Sequence, residues 1–246
     1  MSTLKDLLPT KQVKTKKTKE GGYVLFEGKS NIDNSNIVGI LTLKTTNIKT
    51  GQMAQLWILN ADMNPVETSK LGLDVGICGG CKLRQSLGGA CYVNIGQAPN
   101  AVYKAFKRDK YPTLAIKDYS ILNGLKIRFG AYGDPYALPV EILASLKAIA
   151  VNNTSYTHQW KIGSKILKSV SMASVDSIEE QKEAVANGWR TFRVATEDSI
   201  ILDNEIICPN VTKGVNCADC NLCNGATSKA KNIVIPIHGS WSKRFK

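Results

Sequence analysis

A chain of 246 residues with 43% hydrophobic and 21% charged side chains has the composition of an ordinary globular protein and can bury one sizeable core. It has no apolar run of about eighteen residues, which argues against a membrane span, and no secretory signal pattern, so we expect a cytoplasmic protein. Its formal charge of +12 would attract phosphate-bearing partners, such as nucleic acid or a nucleotide.

The sequence divides into a basic tail and one α/β domain. Residues 1–20 are predicted to be a flexible basic tail, because five lysines fall between Lys11 and Lys19. The next residues carry two β-branched apolar runs around the polar turn KSNIDNSN, which predicts a β-hairpin. The predicted parts of the domain (21–246) are the hairpin (21–51), a barrel (52–200 and 232–246) and an inserted cysteine-cluster loop (201–231).

Beyond the hairpin, short apolar runs alternate with segments of helical periodicity. This alternation is typical of βα units in a parallel sheet or barrel. One helix opens with the capping sequence S-I-E-E and ends in Asn-Gly. The predicted strands are residues 52–59, 125–131, 155–160, 169–174, 189–195 and 232–238, and the predicted helices are residues 101–108, 140–150 and 177–187.

Unusual polar residues follow these predicted strands. The carboxyl ends of strands in a parallel α/β barrel form one face, which is where such folds build active sites. The convergence therefore predicts an enzyme. In strand order the residues are Cys78, Cys81 and Cys91; Gly133 and Asp134; His158 and Gln159; Ser174 and Asp176; Glu197 and Asp198; and His238.

The seven cysteines form two groups. The early group has the spacing C-x2-C-x9-C and the late group has C-x8-C-x2-C-x2-C. Without a secretory signal, such spacings favour metal ligation over disulfides. The run CADCNLC matches the C-x2-C-x2-C run of bacterial ferredoxins. The early group is Cys78, Cys81 and Cys91, and the late group is Cys208, Cys217, Cys220 and Cys223.

The early group would suit a reactive cluster. A 4Fe-4S cluster with three protein ligands leaves one iron open to a substrate or cofactor. Nearby glycines (Gly76, Gly79, Gly80, Gly88 and Gly89) would let the backbone approach such a cluster closely. Two alternatives stay open: zinc in both groups, with a histidine as eighth ligand, or reduced structural thiols.

The order of these features resembles the radical S-adenosylmethionine enzymes over about residues 52–240. That family has a three-cysteine 4Fe-4S site after strand one of a partial barrel and a G-G-E-P-like motif at the end of strand two. F-G-A-Y-G-D-P (Phe129–Pro135) lies at the second position, and the late cysteines resemble auxiliary clusters. The usual family spacing is C-x3-C-x2-C, which differs from C-x2-C-x9-C here. The resemblance implies a partial (βα)6 TIM-like barrel with an N-terminal β-hairpin and a C-terminal cysteine-cluster loop.

The resemblance also implies roles for particular residues. The early group would hold the cluster that binds S-adenosylmethionine, and an external electron donor would drive formation of a 5′-deoxyadenosyl radical that abstracts hydrogen from an unknown substrate. Asp134 would accept a hydrogen bond from the methionine ammonium, and Ser174 or Arg193 would contact its carboxylate or the ribose. The remaining cofactor contacts would be Gly130, Tyr132 and Gly133, with Tyr136 as a second residue for stacking on adenine.

Structural roles compete with these assignments. Gly133-Asp134-Pro135 also reads as a plain turn. His158 is a candidate general base or metal ligand and equally a structural histidine. Arg193 would need an anionic partner, either substrate or an acid such as Asp176 or Glu197.

The whole chain also resembles uncharacterised phage-encoded proteins that share YGDP, YTHQW, MASVDS, GWRTFRV and the late cysteine cluster, a resemblance that supplies no activity. The sequence leaves three candidate functions. The first is a radical-type iron–sulfur enzyme. The second is a zinc-stabilised nucleic-acid-binding protein without catalytic activity. The third is an electron-transfer protein with two clusters and no open iron.

Overall fold

The computed structural model describes residues 21–225 and 229–245, so the predicted basic tail lies outside the described residues. Nine strands of this described part form one mixed sheet. The strands are β1 (Gly22–Lys29), β2 (Asn36–Thr42), β3 (Ala54–Asn60), β4 (Lys126–Tyr132), β5 (Asn152–Thr157), β6 (Met172–Val175), β7 (Thr191–Ala195), β8 (Glu205–Ile207) and β9 (Asn232–Pro236).

The N-terminal edge of the sheet is antiparallel. β1 pairs with β2 through a bulge between Val24 and Phe26, and β2 pairs with β3 along its whole length. The apolar residues of β2, including Ile37 and Ile40, are fully buried. The predicted hairpin is therefore confirmed, and it extends the sheet by pairing with the first parallel strand.

The other strands are parallel. β3, β4, β5, β6, β7 and β9 lie side by side in that order, and β8 joins the far side of β9, also in parallel. All six strands predicted after the hairpin are present, with shifted ends. The largest shifts are in the third, which ends at Thr157, and the fourth, which begins only at Met172.

Helices occupy most of the connections between these strands. The side chains of Ile127 and Phe129 on β4 belong to the same core as Ile142 and Leu146 of the helix that follows. The α-helices are α1 (Pro65–Lys70), α2 (Val75–Cys78), α3 (Ala98–Phe106), α4 (Val140–Ile149), α5 (Lys165–Val170), α6 (Ile178–Ala186), α7 (Pro209–Lys213) and α8 (Cys217–Cys220). The 3₁₀ helices are Gln85–Leu87, Ile116–Leu122, Pro135–Ala137 and Ser242–Arg244.

The described residues thus form an α/β fold, as the alternation of strands and helices predicted. Several elements were not predicted, among them α5 and β8. α5 begins where Ser164 accepts a hydrogen bond from the Leu167 amide at 3.2 Å, which shortens the predicted fourth strand. β8 lies within the predicted insertion (201–231) and adds an edge strand. Among the described residues, no helix has the length and apolar character needed to cross a membrane.

Candidate metal and ligand site

The early cysteine group lies in the connection between β3 and β4 and begins at the end of α2. Cys78 is the last residue of α2, and Gly79 follows it with φ +57°. A Cβ atom at Gly79 would collide with the side chain of Gln159, whose amide donates a hydrogen bond to the Cys78 carbonyl at 3.5 Å. Only glycine fits this turn without strain. The turn takes the chain towards Cys81.

A buried ion pair shapes the loop between Cys81 and Cys91. The Asp74 carboxylate accepts hydrogen bonds from Arg84 Nη1 at 3.0 Å and from Ser86 Oγ at 2.6 Å. The Cys91 amide donates to the Leu83 carbonyl at 2.8 Å. These contacts fold the nine intervening residues back on themselves, so the long spacing still brings the third cysteine towards the first two.

The electrostatics of the early thiols reflect their closeness to one another. Burial raises the pKa of Cys78, and the charges of Cys81 and Cys91 raise it further. Burial also raises the pKa of Cys91 to about 11, with a smaller contribution from Cys81. A thiol with such a pKa stays protonated at neutral pH unless a cation compensates its charge.

The late cysteine group lies against the turn that precedes β3 and against β5. Just before β3, the carbonyls of Lys49 and Thr50 accept hydrogen bonds from the amides of Cys217 and Ala218 at 2.9 and 3.0 Å. The Cys223 carbonyl accepts a hydrogen bond from the Ser155 amide at 3.1 Å. The late group is therefore held to the sheet by backbone hydrogen bonds at several points.

Local structure also sets the spacing within CADCNLC. The Asn216 side chain accepts a hydrogen bond from the Asp219 amide at 3.1 Å, which caps the short helix α8. Asn221 ends that helix with φ +61°, a left-handed conformation that asparagine tolerates. The turn sends Cys223 back towards the sheet. Burial, followed by smaller contributions from the other late cysteines, raises the pKa of Cys223 to about 12.

The donor chemistry of both groups fits a thiolate-bound metal centre. All seven cysteines are free thiols, and within each group their charges influence one another. In the described part of the chain, no three or more His, Cys, Asp or Glu side chains already stand in a metal-binding arrangement. The sets of three and four thiols are nevertheless those that iron–sulfur clusters and zinc require.

One cavity of about 220 Å³ connects the two groups. Its wall includes five of the seven cysteines and alternate residues of the parallel strands. Since side chains alternate along a strand, these residues share one face of the sheet. The cysteines at the wall are Cys78, Cys81, Cys91, Cys208 and Cys217; the alternating strand and strand-end residues are Arg128, Gly130, Tyr132, Tyr156, His158, Ser174, Phe192, Val194, Ile235 and Ile237, and Ala131 borders the cavity as an exception to the alternation.

Asp134 borders the cavity at the end of β4, but its carboxylate is already engaged. Oδ1 accepts hydrogen bonds from the Tyr136 amide at 3.0 Å and the Thr157 hydroxyl at 2.8 Å, and Oδ2 accepts from the His158 amide at 2.8 Å. Burial raises the pKa of Asp134, and these hydrogen bonds oppose that shift. The carboxylate therefore ties the β4 and β5 ends together.

The glycines of the F-G-A-Y-G-D-P motif have a steric reason to be glycine. Gly133 has φ +86°, and a Cβ there would lie 2.7 Å from both Cβ and the carbonyl oxygen of Ile58. Gly130 has φ +72°, and its Cβ would lie 2.5 Å from the Gly133 carbonyl oxygen. Both glycines and the buried Tyr132 border the cavity, whereas Tyr136 does not.

The two histidines reach the cavity from different strand ends. His158 Nε2 lies 3.4 Å from Asp176 Oδ1. Burial lowers the pKa of His158, but the charges of Cys81 and Asp176 outweigh burial, and the pKa lies well above its usual value. His238 packs against the Tyr92 ring with a centroid distance of 5.6 Å. Ser174 also borders the cavity, as its predicted role requires.

Arg193 requires a correction. It is buried and forms an ion pair with Glu205, rather than with Asp176 or Glu197. Its neighbours on β7, Phe192 and Val194, face the cavity, so the arginine points to the opposite face of the sheet. The geometry removes Arg193 from the candidate catalytic residues.

Sequence reasoning missed Arg128 and Tyr92, which both border the cavity. Arg128 lies two residues before Gly130 and four before Tyr132, so strand alternation carried the signal that would have found it. Tyr92 follows Cys91 directly and carried no comparable signal.

Comparisons with protein-family models, with curated proteins and with solved structures found no match for this chain. The geometry of the cavity and its two cysteine groups is therefore the basis of the candidate function.

Proposed function

We propose that this chain is an iron–sulfur enzyme of the radical S-adenosylmethionine type. The observation that carries the proposal is the single cavity bordered by both cysteine groups, a trio and a foursome of free thiols. A trio beside a cavity suits a cluster with one open iron. The foursome suits a fully ligated auxiliary cluster.

We further propose that the sheet curves into a partial barrel around this cavity. Support comes from the parallel strands β3 to β7 and β9, which neighbour one another in chain order. More support comes from the wall of the cavity, to which alternate residues of β4 and β7 contribute together. A sheet face whose separate strands border one shared cavity favours a concave sheet.

The early trio would hold the reactive cluster, and Cys208, Cys217, Cys220 and Cys223 would hold the auxiliary one. When bound, the cluster and S-adenosylmethionine would together supply hydrogen abstraction from the substrate, with an external protein as electron donor. We assign the activity to the cytoplasm, where thiols stay reduced.

The chain's own residues would bind the cofactor and exclude water. Gly130 and Gly133 border the cavity, and Tyr132 supplies an aromatic wall. Asp134 orders the ends of β4 and β5 and keeps acceptor capacity for one further donor, such as an ammonium. His158 would orient a polar group of the substrate while Asp176 holds its ring.

Spectroscopy with S-adenosylmethionine tests the proposal. We expect the electron paramagnetic resonance spectrum of the reduced, anaerobically reconstituted protein to change when the cofactor is added. Cys220→Ala should keep this response because it alters only the late group, and Cys81→Ala should abolish it. A wild-type protein with two intact clusters and no response would instead be an electron-transfer protein. A colourless zinc protein would favour the nucleic-acid-binding alternative.

A further inference from the structure

Arg128 projects from β4 into the cavity and has an unusual set of partners. Its Nη2 group donates a hydrogen bond to the Tyr92 hydroxyl, and the guanidinium carbon lies 5.8 Å from the centre of the Tyr92 ring. That ring packs in turn against His238. Arg128 Nε is buried and has no hydrogen-bond partner among the described residues. Tyr92 thus holds the guanidinium in position, while the Nε donor remains unpaired among the described residues.

Other buried arginines of this protein are compensated. Arg84 pairs with Asp74 at 3.0 Å and Arg193 pairs with Glu205 at 2.6 Å. Arg190 donates to three backbone carbonyls, those of Ala230, Gly225 and Lys231.

Arg128 differs, because within residues 21–225 and 229–245 no carboxylate lies within 4.0 Å of its guanidinium. A partly buried guanidinium is costly unless an anion pairs with it. The cavity is where that anion would fit.

Apart from the thiols, the charges around the cavity point the same way. Burial raises the pKa of Cys217 and the nearby charge of Arg128 opposes that shift, but no carboxylate of the described residues compensates the guanidinium. Lys49 also borders it, and the one carboxylate at the wall formed by described residues is Asp134, whose oxygens already accept three hydrogen bonds. Aromatic and aliphatic side chains, including Tyr156 and Phe192, form much of the remaining wall. A ligand that combines an apolar or planar body with one anionic group complements both features.

We propose that Arg128 binds an anionic group, a phosphate or a carboxylate, of the ligand that occupies this cavity. The free donors of the guanidinium match two oxygens of such a group, and Tyr92 keeps the guanidinium in position. The anion has two chemical sources: the methionine carboxylate of the cofactor, or a phosphate or carboxylate of the substrate. The inference shares its cavity with the proposed function but does not depend on which metal the cysteines bind.

Binding of inorganic phosphate to the full-length, metal-loaded protein tests this inference. We expect calorimetry at constant ionic strength to detect binding to the wild type. Arg128→Gln should weaken that binding at least about tenfold, since hydrogen bonds to charged groups contribute a factor of that size. Arg128→Lys keeps the positive charge but loses the planar arrangement of N–H donors. Its phosphate affinity should therefore lie between those of the wild type and Arg128→Gln.

Arg108→Gln is the matched control, because it removes the same charge from an exposed position outside the cavity. It should leave phosphate binding unchanged. Metal content and circular dichroism of each variant establish that it is folded. Equal phosphate affinity in the wild type and Arg128→Gln would overturn the inference, as would no binding to the wild type. A change in cluster potential alone, without loss of phosphate binding, would also overturn it by making Arg128 a counter-charge to the late cluster.

Competition with S-adenosylmethionine identifies the source of the anion. If saturating cofactor displaces phosphate, Arg128 binds the methionine carboxylate. If both bind together, Arg128 serves the substrate, and the substrate carries phosphate or carboxylate. A zinc-loaded protein with Arg128-dependent phosphate binding would refute the proposed function and leave this inference standing. An iron–sulfur protein that responds to the cofactor but binds phosphate independently of Arg128 would do the reverse.

Discussion

Arg193 and Glu205 form a buried ion pair with two hydrogen bonds, Nε to Oε1 at 2.8 Å and Nη2 to Oε2 at 2.6 Å. The arginine lies on β7 and the glutamate on β8, so the pair spans β9, which lies between them. Arg193 also donates to the Ile200 carbonyl, and Glu205 accepts from the Leu202 amide. The pair therefore fastens the edge strand β8, and with it the start of the late cysteine segment, to the sheet.

Removing one partner of this pair should destabilise the fold. We expect Arg193→Met to lower the free energy of unfolding by about 3–5 kcal/mol, because it leaves a buried carboxylate without compensation. The double variant Arg193→Met with Glu205→Leu should recover much of the loss. Urea denaturation measures both. A single variant as stable as the wild type would contradict the structural role.

The buried pair of Arg84 and Asp74 should control loading of the early cysteine group. We expect Arg84→Gln to lower the free energy of unfolding by about 3 kcal/mol and to reduce metal binding by the trio, because the loop to Cys91 loses its anchor. Lys82→Gln is the control in the same loop. Its pair with Glu180 is exposed on the lysine side, and its loss should cost less than about 1 kcal/mol.

Metal analysis and denaturation of the two variants check this prediction. Equal effects of Arg84→Gln and Lys82→Gln would mean that the loop does not depend on the buried pair.

Substitution of Gly133 and Gly124 distinguishes the stability cost of a left-handed backbone conformation from the cost of a steric clash. Gly133 and Gly124 have nearly the same φ, +86° and +85°, but a Cβ would meet Ile58 at Gly133 and nothing within 4 Å at Gly124. We expect Gly124→Ala to cost about 1 kcal/mol from the left-handed conformation alone. Gly133→Ala should cost about 3 kcal/mol, because a steric clash adds to it. Similar melting temperatures of the two variants would mean that the backbone at the end of β4 shifts to relieve the clash.

The two cysteine groups should bind their clusters independently. Cys81→Ala is expected to remove about four of about eight iron atoms per chain, and Cys220→Ala the other four. Iron and sulfide assays on the anaerobically reconstituted variants measure this. Loss of all iron in either variant would indicate one shared centre.

Much of the fold could be predicted because its strands are apolar and its helices periodic. The hairpin and the six parallel strands follow from such runs. β8 was missed because three residues are too short to display a period. α5 was missed because its apolar residues merge with the start of β6 in one run. Such ends depend on a cap, here Ser164, rather than on the pattern.

The candidate site was predictable where the spacing of the cysteines indicates their chemistry. It was not predictable where a residue's role depends on which face of its strand the side chain occupies. The sequence intervals predicted the two cysteine groups. They did not predict which face of each strand borders the cavity. Side chains alternate, so the inward assignment of Arg193 was wrong by one position, and Phe192 and Val194 face the cavity instead. Arg128 was missed because the notable polar residues were sought only at strand ends, although alternation along β4 places it on the same face as Gly130 and Tyr132.

The metal and sulfide content of anaerobically purified wild-type protein tests the central claim most directly. We expect a brown protein with about eight iron and eight sulfide atoms per chain, divided between the early and late cysteine groups. About two zinc ions per chain with neither iron nor sulfide would contradict the iron–sulfur function and would instead indicate a zinc-stabilised binding protein.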